Sequence, residues 1–316
     1  MSCRTIPPGS LSTARLAVSV TTLCLALCLP TASDRGKAHA GDNDVVISRL
    51  SNVIDGQMIA GVDGQSFRSL ASELGVVLAP RLLSPSDTLG FAGFQFAADF
   101  AFTTISNDKA FWRARESSDG MENHGGSTMP TIGVFVRKGL WLPLPSFEVG
   151  AGIVHLLDSS MIAAQGYAKL AVHEGYRDLP IPSLAVRGAV SRMMGTAQLD
   201  LTIASVDVSI SKAFAFSGSI DIEPYGGWNA LFIIPRGEVI DPTPDIPDDP
   251  QLDFVFRDQD DITRNRFFVG AKVQYYVFAV LIEADLILSG KSKDDREGQD
   301  QAGTQQTYTL GLGVDF

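Results

Sequence analysis

The chain of 316 residues carries a formal charge of −11, yet 45% of its residues are hydrophobic and its mean hydropathy is slightly positive. The acidity argues against nucleic acid as a partner. The combination of acidity with apolar bulk suits a membrane barrel with an oily outer band and acidic lumen and loops.

In chain order, Arg4 and Arg15 precede an apolar stretch from Leu16 to Leu29. That stretch is too short to span a bilayer as a helix and has the layout of a secretory signal. Ala38-His39-Ala40 offers an A-x-A cleavage site before Gly41, with Thr31-Ala32-Ser33 as a competitor. The three cysteines, Cys3, Cys24 and Cys28, fall inside this signal, so the mature chain is expected to hold no disulfide and no thiol metal site. Leu27 before Cys28 disfavours lipidation, where a small residue is wanted. Removing residues 1–40 takes away four basic residues and one acidic residue, leaving 21 basic and 35 acidic side chains and a charge of −14. No later apolar run reaches about 18 residues, so an exported chain that crosses a bilayer must do so as a closed barrel.

Residues 41–87 are expected to form a periplasmic or lumen-inserted N-terminal segment. Asp42 to Asp63 shows little periodicity and no sheet role. Ser66 to Leu74 reads as a short helix capped by Ser66, with Phe67, Leu70 and Leu74 on one face and Gly75 as its end. Val76 to Leu83 is apolar, but Pro80 argues against a central strand. The rival reading makes Leu74 to Leu83 a first strand.

From residue 88 to the end the sequence predicts a barrel. At Gly93 a strict alternation begins, with Phe94, Phe96, Ala98, Phe100 and Phe102 on one face and Gln95, Ala97, Asp99 and Ala101 on the other. The pattern recurs downstream. Ile132, Val134 and Val136 oppose Phe135 and Arg137. Phe147, Val149 and Ile153 oppose Glu148, Gly150 and Gly152. Leu170 and Val172 oppose Gln165, Tyr167, Lys169 and His173, and Leu184, Val186 and Val190 oppose Arg187. Between Leu199 and Ile210 the apolar phase slips, for which a bulge near Ala204–Ser205 is expected. Ile220, Ile222, Trp228 and Phe232 oppose Asp221, Glu223, Tyr225 and Asn229. Phe267, Val269 and Val273 oppose Arg266 and Lys272, and Val280, Ile282 and Leu286 oppose Glu283 and Asp285. In the last strand Tyr308, Leu310, Leu312, Val314 and Phe316 share one face, opposite Thr307, Thr309, Gly311, Gly313 and Asp315.

This last strand resembles the closing strand of Gram-negative outer-membrane β-barrels, whose insertion machinery reads a terminal aromatic preceded by alternating apolar residues. Taken together, the fold class is all-β: a transmembrane antiparallel up-and-down barrel of about ten strands, with twelve as the alternative, and a short N-terminal helical segment. A periplasmic C-terminus puts Trp141–Ser146, Gly175–Pro182, Ser211–Phe214 and the Tyr276–Ala279 neighbourhood on the periplasmic side. It puts the longer stretches Asn107–Met129, Gly237–Thr263 and Ser289–Gln305 outside. Leu83-Ser84-Pro85-Ser86-Asp87-Thr88-Leu89-Gly90, Leu179-Pro180-Ile181-Pro182-Ser183 onward, Ser211-Lys212-Ala213-Phe214 and Pro224-Tyr225-Gly226-Gly227 resemble poorly characterised outer-membrane barrel proteins, which implies the barrel and no particular activity.

The alternation assigns Asp99, Arg137, Glu148, Lys169, Arg187, Asp221, Glu223, Arg266, Lys272, Glu283 and Asp285 to the lumen, with Asp315 beside them. Two readings follow: a lumen filled by structural ion pairs, or a narrow, weakly cation-preferring passage for small solutes. The corresponding functions are passive transport through a narrow or plugged lumen, and a non-conducting structural or surface-interaction barrel using its acidic outer loops. Asp241 to Asp261 holds eight aspartates and four prolines. Its carboxylates suit divalent cations and bridging to lipopolysaccharide, but the spacing is not that of a calcium loop, and an extended solvated loop is the plainer reading. His155, Asp158, Ser159 and Ser160 raise a membrane-embedded lipid hydrolase, against a plain polar turn. Trp112, Trp141 and Trp228 read as interfacial girdle residues. No cofactor motif is present. The expected partners are outer-membrane lipids, lipopolysaccharide and the barrel-insertion machinery.

Overall fold

The computed structural model describes residues 41–53, 60–115, 126–141, 146–174, 181–217, 219–240, 253–259, 261–291, 293–294 and 298–316. The predicted signal and its cysteines lie outside these residues, as do the predicted cleavage sites and most of the acidic stretch.

Ten long strands form the barrel: β1 (Phe94–Thr104), β2 (Thr128–Leu140), β3 (Phe147–Leu156), β4 (Ile162–His173), β5 (Ser183–Met194), β6 (Leu199–Ser211), β7 (Ile220–Gly237), β8 (Ile262–Tyr275), β9 (Phe278–Ile287) and β10 (Gln305–Asp315). Each pairs antiparallel with its neighbours, and β10 closes on β1 in the register Thr307↔Thr103 to Asp315↔Gln95. Backbone bonds from Phe94 N to Phe316 O at 3.0 Å and from Phe316 N to Phe94 O at 2.8 Å seal the seam to its last residue. A short extra strand, Phe214–Ser217, pairs with the start of β7. Closure leaves the barrel no free edge, which is what a sheet needs in a bilayer. The alternation is obeyed on the outer wall: Phe96, Val134, Ile153, Val186, Val208, Val269, Ile282 and Leu310 are all exposed. This oily outer wall on a closed barrel is that of a bacterial outer-membrane protein.

The inner face departs from the simple rule of apolar out and polar in. Toward the end of the barrel that carries the long connections, the inward positions are apolar: Val154, Leu156, Leu201, Ile203, Leu231 and Ile233 are fully buried. They face α1 (Gly64–Val77), whose Phe67, Leu70 and Leu74 are buried in the same core. This explains the apparent phase slip in β6. Leu199, Leu201 and Ile203 point inward, whereas Val206, Val208 and Ile210 point outward, and the register with both neighbours runs unbroken. The bulge expected at Ala204–Ser205 is therefore corrected: the strand is regular and the environment of its inner face changes along it. The irregularity lies in β4, where the pairing with β5 shifts between Ala171 and His173.

Two details of the helix are also corrected. Asp63, not Ser66, is the N-cap, accepting from Ser66 N at 2.9 Å and Ser66 Oγ at 2.7 Å. Gly75 does not end α1 but sits within it, where a Cβ would stand 2.6 Å from Ile233 Cγ2. The missing side chain is what lets the helix approach β7 so closely. Ahead of α1, Ser51–Val53 and Ala60–Val62 form a small antiparallel ladder where no pairing was expected.

Candidate functional site

The inside of the barrel is the place where the chemistry-bearing side chains converge. An eight-stranded barrel fills itself with side chains, while wider ones need something further. In this ten-stranded barrel the extra filler is the chain's own residues 78–89, which leave α1 and run along the lumen without forming a helix or a strand.

The carbonyls of that stretch are met one after another by inward side chains. Ser191 Oγ donates to Leu78 O at 2.8 Å, and Gln165 Nε2 donates to Ala79 O at 3.1 Å. Arg266 Nη2 donates to Pro80 O at 3.0 Å, Arg187 Nη1 to Leu82 O at 2.7 Å and Arg137 Nη2 to Leu83 O at 2.5 Å. Lys169 Nζ reaches Ser84 Oγ at 2.8 Å, Pro85 O at 3.1 Å and Asp87 O at 2.9 Å. Pro80 and Pro85 lack an N–H and so add no donor that would need a partner in this crowded space. Four of the five lumen cations predicted from sequence thus bind backbone of the same chain.

The carboxylates complete the network. Arg187 Nε pairs with Asp207 at 2.8 Å, Lys169 with Glu148 at 3.1 Å and Arg81 with Asp99 at 3.4 Å. Arg81 also donates through Nη2 to Thr131. Arg266 faces Asp285 at 3.9 Å, Tyr225 donates to Glu283 at 2.9 Å, and Tyr167 donates to Glu148 at 2.6 Å. All of these charged groups are buried. Lys272 stands apart with Asp315, at 2.8 Å, near the end where β10 finishes. There a cavity of about 760 Å³ is lined by Asp221, Glu223, Lys272, Asp315 and Phe316 together with Asp87 and Glu174. Asp221 and Glu223 are half-buried, so they belong to this vestibule and not to the packed interior.

At the opposite end a second polar knot surrounds α1. Glu73 accepts from Ser106 N at 2.9 Å, Trp112 Nε1 at 2.8 Å and Gly303 N at 2.9 Å. Ser72 donates to Asp300 at 2.6 Å, and Arg264 donates to Ser72 Oγ at 3.1 Å. Burial pushes the Asp300 carboxyl above its ordinary value. Arg68 bonds Gln259 at 2.5 Å and pairs with Asp261 at 2.8 Å, while Phe67 stacks on Phe256 with ring centroids 4.8 Å apart. Trp112 is 1% exposed. Its expected place in an interfacial girdle is therefore corrected, because its indole N–H has a buried carboxylate to satisfy. Trp141 and Trp228 are exposed.

Of the closing-strand residues, Tyr308, Leu310, Leu312 and Phe316 are exposed on the outer wall and Val314 is half-buried. His155 and Ser159 do not form a nucleophile–base pair: Ser159 Oγ accepts from Met161 N at 2.8 Å, and His155 Nδ1 lies 3.3 Å from Met161 O. Among the described residues no cluster of His, Cys, Asp or Glu could hold a metal, and residues 241–252 of the acidic stretch are outside them. The sequence reading missed Arg81, Glu73 and Asp207. Asp207 is legible in principle, since it alternates with the outward Val206 and Val208.

No protein-family model matches the chain, and no curated protein matches it. Among solved structures it is similar to Ail, the attachment invasion locus protein of Yersinia pestis, at 10% identity and TM-score 0.26, over 72% of this chain and 99% of that one. The outer membrane protease OmpT from Escherichia coli aligns at 10% identity and TM-score 0.32, over 72% and 95%. The translocator domain of the autotransporter NalP from Neisseria meningitidis aligns at 11% and 0.33, over 80% and 95%. These are bacterial outer-membrane barrels, and no residue role is carried from them to this chain.

Proposed function

We propose that this protein is an outer-membrane barrel held closed by its own N-terminal segment, residues 64–89, and that it serves as a non-conducting platform for its outer loops. A signal in residues 1–40 directs its export, and the alternating apolar face ending at Phe316 directs its insertion. The observation that carries the reading is the use of Arg137, Lys169, Arg187 and Arg266 on carbonyls of residues 80–87. Cations that line a working pore face water and solute, whereas these four are buried and spent on backbone. Together these bonds tie the segment to the barrel wall at several points along its length. Passage of a solute through the lumen requires this segment to leave.

The test is planar-bilayer conductance of the refolded protein beside a variant lacking residues 64–89. The full chain is expected to be silent and the shortened barrel to conduct, with its selectivity set by the freed lumen charges. Steady conductance of the full chain refutes the closed-barrel reading in favour of passive transport.

A further inference from the structure

The path of residues 41–93 relative to the strands has a topological consequence. The first described residues are tied to the turns at one end of the barrel. Asn43 N donates to Asp158 O at 2.9 Å and Asn43 Nδ2 to Leu157 O at 2.6 Å, in the turn between β3 and β4. The Asp44 carboxylate accepts from Ser160 N at 2.7 Å, and Ile47 N donates to the side chain of Gln198, between β5 and β6, at 2.8 Å. Val45 bridges to Arg115 in the long connection between β1 and β2. The segment then leaves this end, and by residue 88 it has reached the other. There Thr88 Oγ1 donates to Glu174 at 2.6 Å, Leu89 N donates to Glu148 at 3.1 Å, and Gly139 N donates to Gly93 O at 3.1 Å. β1 starts at that second end, beside Phe316.

Outer-membrane barrels keep short turns on the periplasmic side and long loops outside. The end that holds Phe316 has the two-residue connection between Tyr275 and Phe278. The end that holds residues 43–47 has the long connections 105–127, 238–261 and 288–304. We infer that the chain carries its own N-terminal region through the lumen, so that residues 41–53 and 60–63 lie on the cell surface. A chain entering from the periplasm must pass this region outward through the barrel before the lumen network sets around residues 78–89. The crossing stretch forms neither helix nor strand, and the inward side chains hold it by backbone groups. The barrel is thus a carrier of its own leading segment, an activity distinct from solute passage. It rests on the orientation, and not on whether the lumen conducts.

The experiment is thiol labelling of cells making the full chain, using a membrane-impermeant maleimide. The predicted mature chain has no cysteine of its own, so a single one can be placed at Asp42→Cys, an exposed position, or at Val277→Cys in the turn between β8 and β9. Heat-modifiable migration of each variant confirms a folded barrel. Asp42→Cys is expected to label on intact cells to the extent seen after permeabilisation, and Val277→Cys only after permeabilisation. Labelling of Asp42→Cys confined to permeabilised cells, or labelling of Val277→Cys on intact ones, overturns the inference. Either result leaves the conductance test of the closed barrel standing by itself.

Discussion

Replacement of Arg187 by methionine separates a dry, filled lumen from a wet one. Arg187 is 2% exposed and its carboxylate partner Asp207 1%, and the two donor groups of Arg187 bind Asp207 and the Leu82 carbonyl at 2.8 and 2.7 Å. Removing one member of a buried pair leaves the other as an uncompensated charge, at a cost of about 3–5 kcal/mol. The Leu82 carbonyl loses its donor as well, about 1 kcal/mol more. If water filled the lumen, the same pair would behave as an exposed one and contribute roughly 0–1 kcal/mol. In Arg187→Met/Asp207→Leu both charges are gone, so most of the loss should be recovered and about 1 kcal/mol remain, from the carbonyl. The assay is urea unfolding of the refolded protein in lipid vesicles. With slopes of about 1–3 kcal/mol per molar urea, the resulting loss of about 4–6 kcal/mol should lower the midpoint by roughly 1–6 M. A shift worth less than about 1 kcal/mol, or a double variant no better than the single one, would refute the reasoning and with it the tightly held segment.

Two further outcomes follow from the end of the barrel that carries the long connections. Glu73→Ala strips Trp112, Ser106 and Gly303 of their shared acceptor; since a bond to a charged group contributes about 1.5–3 kcal/mol, the variant should lose at least that much stability. It should also red-shift tryptophan emission as Trp112 gains water, and an unchanged spectrum would show that Glu73 does not hold Trp112 in place. Acidification should loosen the N-terminal anchor. Burial raises the Asp44 carboxyl, but the bonds from Ser160 and Gly41 outweigh it and hold the group below its ordinary value of 3.8. Asp63, which caps α1, is held down in the same sense by Ser66 and Arg113. A depressed folded-state value means the contribution is complete above the ordinary value and is lost as pH falls through the folded one. Pepsin cleavage ahead of α1 should therefore rise as pH drops from about 4.5 toward 2, and Asp44→Asn should flatten that rise. Identical pH profiles for the two proteins would count against the anchor.

What the sequence determined by itself is the wall. A side-chain period of two states which face each residue takes, and a bilayer outside the barrel makes the outward face apolar over and over. Phe96, Val134, Val186 and Leu310 could be assigned outward, and Arg137, Lys169 and Arg187 inward, because that rule needs no knowledge of any other strand. The ten-strand count and the closing strand followed from the same regularity. What only the tertiary structure decided is what the inward face meets. Leu201 and Ile203 look like a phase error until α1 is placed against them, and Trp112 looks like a girdle residue until Glu73 lies beneath it. Arg81, in a run broken by Pro80, shows no periodicity that would set it opposite Asp99, 18 positions further on. Periodicity records the direction of a side chain, whereas its partner is fixed by how a closed barrel brings distant parts of one chain into a single enclosed space.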